Sequence, residues 1–133
     1  MKLFHAAFAI ALCMAGHQVQ AGIGDTYECL DFDNTVYSGT EKQDVDFFSF
    51  TIRWLETTAE VQYEVLQKPN ILNITHQDEN SFLTHVIDYQ NRGGHTSSSF
   101  YKNADGSASY VRTFVIDGFS SAFMARCQKT GQN

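Results

Sequence analysis

Beyond residue 21 the imidazoles of this chain are His76, His85 and His95. Histidines hold transition metals when two fall at a tight spacing, a few residues apart on a loop or four apart on a helix. Here the gaps are nine and ten residues, so the pattern points to structural or surface histidines, with no metal and no cofactor expected. Ser97, Ser98 and Ser99 run together, but none stands in the Gly-x-Ser-x-Gly turn that presents a nucleophile. The carboxylate pairs Asp31/Asp33 and Asp44/Asp46 lie near the ends of apolar runs, where solvated edge charge accounts for them. No catalytic set emerges, and the chain is expected not to be an enzyme.

Two in-strand cations are more informative. Arg112 shares an alternating face with Tyr110, Phe114 and Ile116, and His85 shares one with Leu83, Ile87 and Tyr89. If those faces point inward, each polar group needs a partner, because burying it alone is costly. An arginine in an aromatic interior can hold a carboxylate or phosphate through two parallel hydrogen bonds. If they point outward, Val111, Thr113 and Val115 form the inward face instead. Trp54 heads the aromatic face Phe48-Phe50-Ile52-Trp54. Arg112, His85, Tyr110 and Trp54 are therefore the candidate ligand contacts, for a small apolar or anionic ligand.

The elements that position these residues follow from period-two alternation, the mark of half-buried strands. Eight strands are expected, at about 26–32, 45–56, 60–67, 71–76, 81–90, 97–102, 107–116 and 119–128. Aromatic and β-branched residues are dense in them, as pleated surfaces favour. Turn residues separate them: Thr57-Thr58, Lys68-Pro69-Asn70, Gln77 to Asn80, Asn91 to Gly94, Asn103 to Gly106 and the two-residue Asp117-Gly118. The longer stretch 33–44 is expected to be a loop, and a helix over Val61 to Gln67 is disfavoured by Tyr63 and Val65. Short connections give an antiparallel meander.

The first 21 residues resemble a cleavable export signal. Lys2 precedes an apolar run from Phe4 to Gly16, and Val19-Gln20-Ala21 supplies a cleavage site. That run is too short to span a bilayer, which takes roughly 20 helical residues. Residues 22–133 would then form one domain. The leader carries one basic residue and no acid, so cleavage moves the net charge from −6 to −7. Such a surface repels phosphate backbones and anionic lipid, which argues against a nucleic-acid partner and against stable membrane insertion. Periplasmic or extracellular placement is expected. Cys13 leaves with the signal, and Cys29 and Cys127 remain as an even pair in an oxidising compartment. A bond between them requires Cα atoms within about 7 Å. The first and last strands must then meet, which favours a closed eight-stranded barrel over a two-sheet sandwich.

Nine phenylalanines, six tyrosines and Trp54 follow the leader, enough either to fill a small barrel or to line a pocket. Exposed Tyr37 and Tyr101 would suit protein recognition. Asn73-Ile74-Thr75 is a glycosylation triplet of frequent chance occurrence. Tyr27-Glu28-Cys29, the strand count, a cysteine in the last strand and Gly106-Ser107-Ala108-Ser109-Tyr110 together resemble the periplasmic inhibitors of C-type lysozyme. That family's later Trp-x-Lys-Gly element is absent, the comparable place being Val115-Ile116-Asp117-Gly118. The resemblance implies an inhibitory hairpin loop at 103–109 and an acidic surface facing a basic enzyme. Other readings are a ligand-binding or protein-binding exported barrel, a structural component of the cell envelope, and an enzyme built on His85, Arg112 and a carboxylate.

Overall fold

The computed structural model describes residues 22–89 and 93–132; the proposed export signal, with Cys13, lies outside them. Among the described residues nine strands run in chain order: β1 Asp25–Ser38, β2 Glu41–Gln43, β3 Ser49–Trp54, β4 Thr58–Tyr63, β5 Asn70–Gln77, β6 Ser81–Tyr89, β7 Gly94–Lys102, β8 Ser107–Ile116 and β9 Phe119–Gln132. Each pairs antiparallel with its sheet neighbour, and β1 also pairs with β9. The result is a closed eight-stranded barrel, with β2 a three-residue flap paired only to the far end of β1. Closure removes the open edges a sandwich would keep. No helix among the described residues is long and apolar enough to cross a membrane.

The seam is bonded as well as paired. Cys29 stands directly opposite Cys127 in the β1–β9 register, with Cα atoms 4.0 Å apart and a disulfide between them. The short turns form where their residues allow. Asp117 and Gly118 both take positive φ, 47° and 78°, giving the two-residue β8–β9 hairpin.

The stretch 33–44 is not a loop. β1 continues through Ser38 and pairs with β9 to Phe119, and residues 41–43 fold back as β2. The reason is a β-bulge at Phe32, where the register slips between Asp31 and Asp33. The bulge reverses the strand's phase. Odd residues point inward up to Asp31, and Asn34 and Val36 line the interior beyond it. An alternation count broken by one residue looks like a loop. Conversely, residues 45–48 are not strand, and β4 ends at Tyr63, leaving Val65 89% exposed in the turn that follows.

The bulge also corrects the reading of Asp31 and Asp33 as equivalent edge charges. Asp33 is exposed, whereas Asp31 is 1% exposed. Its carboxylate accepts hydrogen bonds from the Phe48 backbone N–H and from Asn34 Nδ2, the latter at 3.0 Å. A buried polar group needs such partners, because burying it alone is costly. Here those donors tie the 44–48 segment to β1.

One half of the barrel is filled by rings. Phe82 and Phe100 stack at 5.0 Å, and Trp54 meets them edge-on at 5.2 and 5.8 Å. Tyr27 packs edge-on against Phe100 at 4.8 Å and donates from its phenol to Asp25 Oδ2, whose other oxygen pairs with Lys129. Burial foremost, then the Asp25 charge, raises the Tyr27 phenol above its ordinary pKa and keeps it a neutral donor.

Candidate functional site

The face of β8 that carries Tyr110 and Arg112 points into the barrel. Its phase is set by Ala108 and Tyr110, which pair with Cys127 on β9 and Phe100 on β7. Val111 and Val115 accordingly face out. Arg112 is 4% exposed. Its Nε–H donates to Thr96 Oγ1 on β7 at 3.0 Å, and Thr96 in turn donates to the Thr113 carbonyl at 3.0 Å. Its Nη1 donates to the Tyr63 phenol at 2.6 Å, and the guanidinium lies 5.9 Å from the Tyr63 ring centroid. Tyr63 closes β4, four strands from β8 in either direction around an eight-stranded wall. Arg112 therefore bridges the lumen from one side to the other.

Beyond this bridge the interior opens into a cleft of about 410 Å³. Small-molecule sites are typically about 300–1,000 Å³ with mainly apolar walls and a few placed polar groups. The walls here are Phe48, Phe114, Ile116, Phe123 and Val36, with Val45 and Asp46 at the rim. Phe48 and Phe123 meet edge-on at 5.1 Å, and Phe48 also touches Tyr63, at 5.6 Å. The space exists because small or polar residues occupy inward positions on this side. Thr96 and Ser121 stand there where the other half has rings. Gly94 is required by crowding: a Cβ would lie 2.5 Å from the Val115 carbonyl oxygen. A larger hollow of about 620 Å³ lies on the outer wall over Leu30, Phe32 and Arg126, where the Arg126 guanidinium covers the Phe32 ring at 5.9 Å.

Of the four candidates, Arg112 lines the cleft. Tyr110 is fully buried one inward position away, against Phe50 at 5.6 Å and Phe123 at 6.0 Å. Trp54 belongs to the filled half, its indole N–H donating to Gln77 Oε1 at 2.9 Å. His85 lies on the outer surface with Leu83 and Ile87, the latter 78% exposed, while Phe82 and Thr84 take the inward positions. Both faces of β6 carry apolar residues, so alternation alone leaves open which one points inward. His85 and His95 neighbour each other outside, ring centroids 6.4 Å apart, and His76 is also exposed. The barrel wall thus separates His85 from Arg112, and the catalytic grouping of the two does not assemble.

Tyr63, Thr96, Asn34 and Phe123 were not among the sequence candidates. Tyr63 was within reach, because it alternates with Val61. Thr96 stands one residue before an expected strand start, and Asn34 stands in the stretch expected to be a loop.

The 103–107 turn sits at the opposite end of the barrel. Asp105 Oδ1 accepts from both the backbone N–H and the hydroxyl of Ser107, and Asn103 Nδ2 donates to Ser107 Oγ at 2.9 Å. The hydroxyl bond first, then the backbone N–H, holds the Asp105 carboxyl below the usual range. No protein-family model, curated protein or solved structure matches this chain.

Proposed function

We propose that this chain is an exported, non-enzymatic barrel that binds a small molecule in the cleft at its open end. One observation carries the reading: among the described residues one half of the barrel is filled, and the other opens into a mostly apolar recess lined by the buried Arg112. Arginine in such a setting is a recognised anchor for polar ligand groups. Export is supported by the leader-like residues 1–21 and by the Cys29–Cys127 bond, which suits an oxidising compartment. The test is fluorescence titration with the uncharged probe N-phenyl-1-naphthylamine. Saturable binding is expected, lost in Val36→Trp, which fills the cleft from its wall while circular dichroism stays native. Absence of saturable binding, or binding indifferent to Val36→Trp, rejects the proposal.

A second reading, a protein inhibitor of the C-type lysozyme kind, is favoured by the ordered, acid-bearing turn at 103–107 beside the exposed Tyr101. It predicts inhibition of a C-type lysozyme in a turbidity assay, abolished by Asp105→Lys. No inhibition at micromolar protein removes it.

A further inference from the structure

We infer that the lip of the cleft docks a basic, amphipathic polypeptide. This goes beyond the small-molecule reading and stands without it. At the solid end of the barrel, the turns 55–57, 78–80 and 103–106 hold no exposed large apolar side chain. At the hollow end two loops do. Val45 and Phe47 before β3, and Val65 and Leu66 after β4, are all exposed, from 41% for Val45 to 89% for Val65. The two loops are neighbours. Phe50 stands opposite Tyr63 in the β3–β4 register, the Ser49 hydroxyl donates to the Glu64 carboxylate one step beyond, and Phe48 touches Tyr63. Val45 also lines the cleft. The four side chains thus stand on one side of the mouth. None of them is needed in the core, and apolar groups gathered on a surface mark a contact site.

Charge decides the occupant. Asp44 and Asp46 alternate with Val45 and Phe47 along one loop, and Glu64 precedes Val65 on the other, all three acids exposed. Over 39–48 and 64–69 as a whole, Glu41 adds a fourth carboxylate, against Lys42 and Lys68. A lipid surface would cover the apolar groups only by drawing these carboxylates out of water, and anionic lipid would repel them. A second copy would set acid against acid. A polypeptide with one apolar and one basic face meets both features. Its apolar side chains lie on the lip, and its cations face the carboxylates around it, where rim charge steers encounter and suppresses wrong partners.

Fluorescence anisotropy of a labelled synthetic peptide of repeated Leu-Lys-Lys-Leu units measures the docking. Its Leu-Glu-Glu-Leu and Ser-Lys-Lys-Ser counterparts, one lacking the basic charge and the other the apolar face, should bind at least about tenfold more weakly. Phe47→Ser with Val65→Ser changes no charge and alters only exposed side chains. The pair should weaken binding of the Leu-Lys-Lys-Leu peptide at least about tenfold, whereas Leu83→Ser on the outer wall of β6 should leave it unchanged. Asp44→Asn with Asp46→Asn should weaken it as well, and more at low salt than at high. Equal binding of the Ser-Lys-Lys-Ser peptide, or Leu-Lys-Lys-Leu binding that survives the loss of Phe47 and Val65, reduces the effect to net charge and overturns the inference. Absence of binding overturns it too. A dimer in sedimentation velocity, or flotation with phosphatidylcholine vesicles, either one abolished by Phe47→Ser with Val65→Ser, would assign the lip to a second copy or to a membrane and overturn it likewise.

Discussion

The two ends of this barrel share the same eight strands, yet one is solid and the other hollow. At the solid end the inward positions hold Trp54, Phe82, Phe100, Tyr27 and Leu72, all essentially inaccessible. At the hollow end the small or polar Gly94, Thr96, Ser121 and Asn34 stand among the larger Phe114, Ile116 and Phe123, and the arginine bridge separates the two ends. An eight-stranded barrel is just wide enough for side chains to fill it. Strand number therefore does not decide whether there is room for a ligand. The volume of the inward residues, level by level, decides it. The segment before β3 contributes too: the bulge at Phe32 carries β1 onward, and Asp31 holds Phe48, a wall of the cleft, against it.

The sharpest way to break this comparison is to make the same substitution at both ends. Phe100 is held by Phe82, Trp54 and Tyr27 on several sides. Phe123 packs on Phe48, Phe50 and Tyr110 but also borders the cleft. Phe100→Ala should cost toward the top of the ~3–5 kcal/mol expected of a buried Phe→Ala change, and Phe123→Ala toward the bottom or below. Urea denaturation midpoints with a constant slope measure both. Equal losses would mean the ends are equally packed. Next in size is the seam both ends share: Cys29→Ser with Cys127→Ser should lower stability by about 2–5 kcal/mol. Each serine loses only one end of the bond, so the double substitution is the fair measure.

Much of this architecture was legible because alternation is strict where a strand has one buried face. β3, with Phe50, Ile52 and Trp54 inward, lies within the expected 45–56, and the closing disulfide follows from two cysteines in the terminal strands. What escaped has physical reasons. The bulge at Phe32 shifts the pattern by one residue, so a continuous strand looks irregular and Asn34 is lost from the site. β6 carries apolar residues on both faces, so Leu83, His85 and Ile87 looked as eligible for the interior as Phe82, Thr84 and Val86. The choice is made by the neighbour, since Phe82 stacks on Phe100, and a cross-strand ring pair is not visible in one strand's pattern. The Arg112–Tyr63 bridge joins residues 49 positions apart, which no local period can announce.

The 44–48 segment offers a test of intermediate size. Asp31→Ala would leave the Phe48 N–H and the Asn34 amide without their acceptor, a loss of about 1–3 kcal/mol for stranded donors. The effect should be confined to the hollow end. Hydrogen exchange at Phe48 should accelerate far more than at Ile52 or Phe82, which lie in the filled core. Uniform acceleration across the barrel would show instead that Asp31 stabilises the whole fold rather than the wall of the cleft.

The smallest expected effect belongs to the solid end and comes from acid. Asp78 and Asp105 cap the β5–β6 and β7–β8 turns there. Asp78 Oδ1 accepts from the backbone N–H groups of Asn80 and Ser81, each at 2.8 Å, and Asp105 from Ser107. Both carboxyls are held below their ordinary range, by the Asn80 N–H first for Asp78 and by the Ser107 hydroxyl first for Asp105. A carboxyl whose folded pKa is lowered binds protons more weakly folded than unfolded. Its contribution is therefore complete above the unfolded value, about 3.9, and disappears as pH falls through the folded value. Both groups are exposed, so the change should appear as local loosening rather than unfolding. Carboxyl carbon shifts followed by NMR should give midpoints below about 3.9 for both residues. The Asn80 and Ser107 amides should lose protection in the same window. A midpoint at or above the ordinary value for Asp105 would mean that its turn is open in solution. That would also remove the ordered loop on which the inhibitor reading depends, and leave the hollow end as the one pre-formed recognition feature of the two.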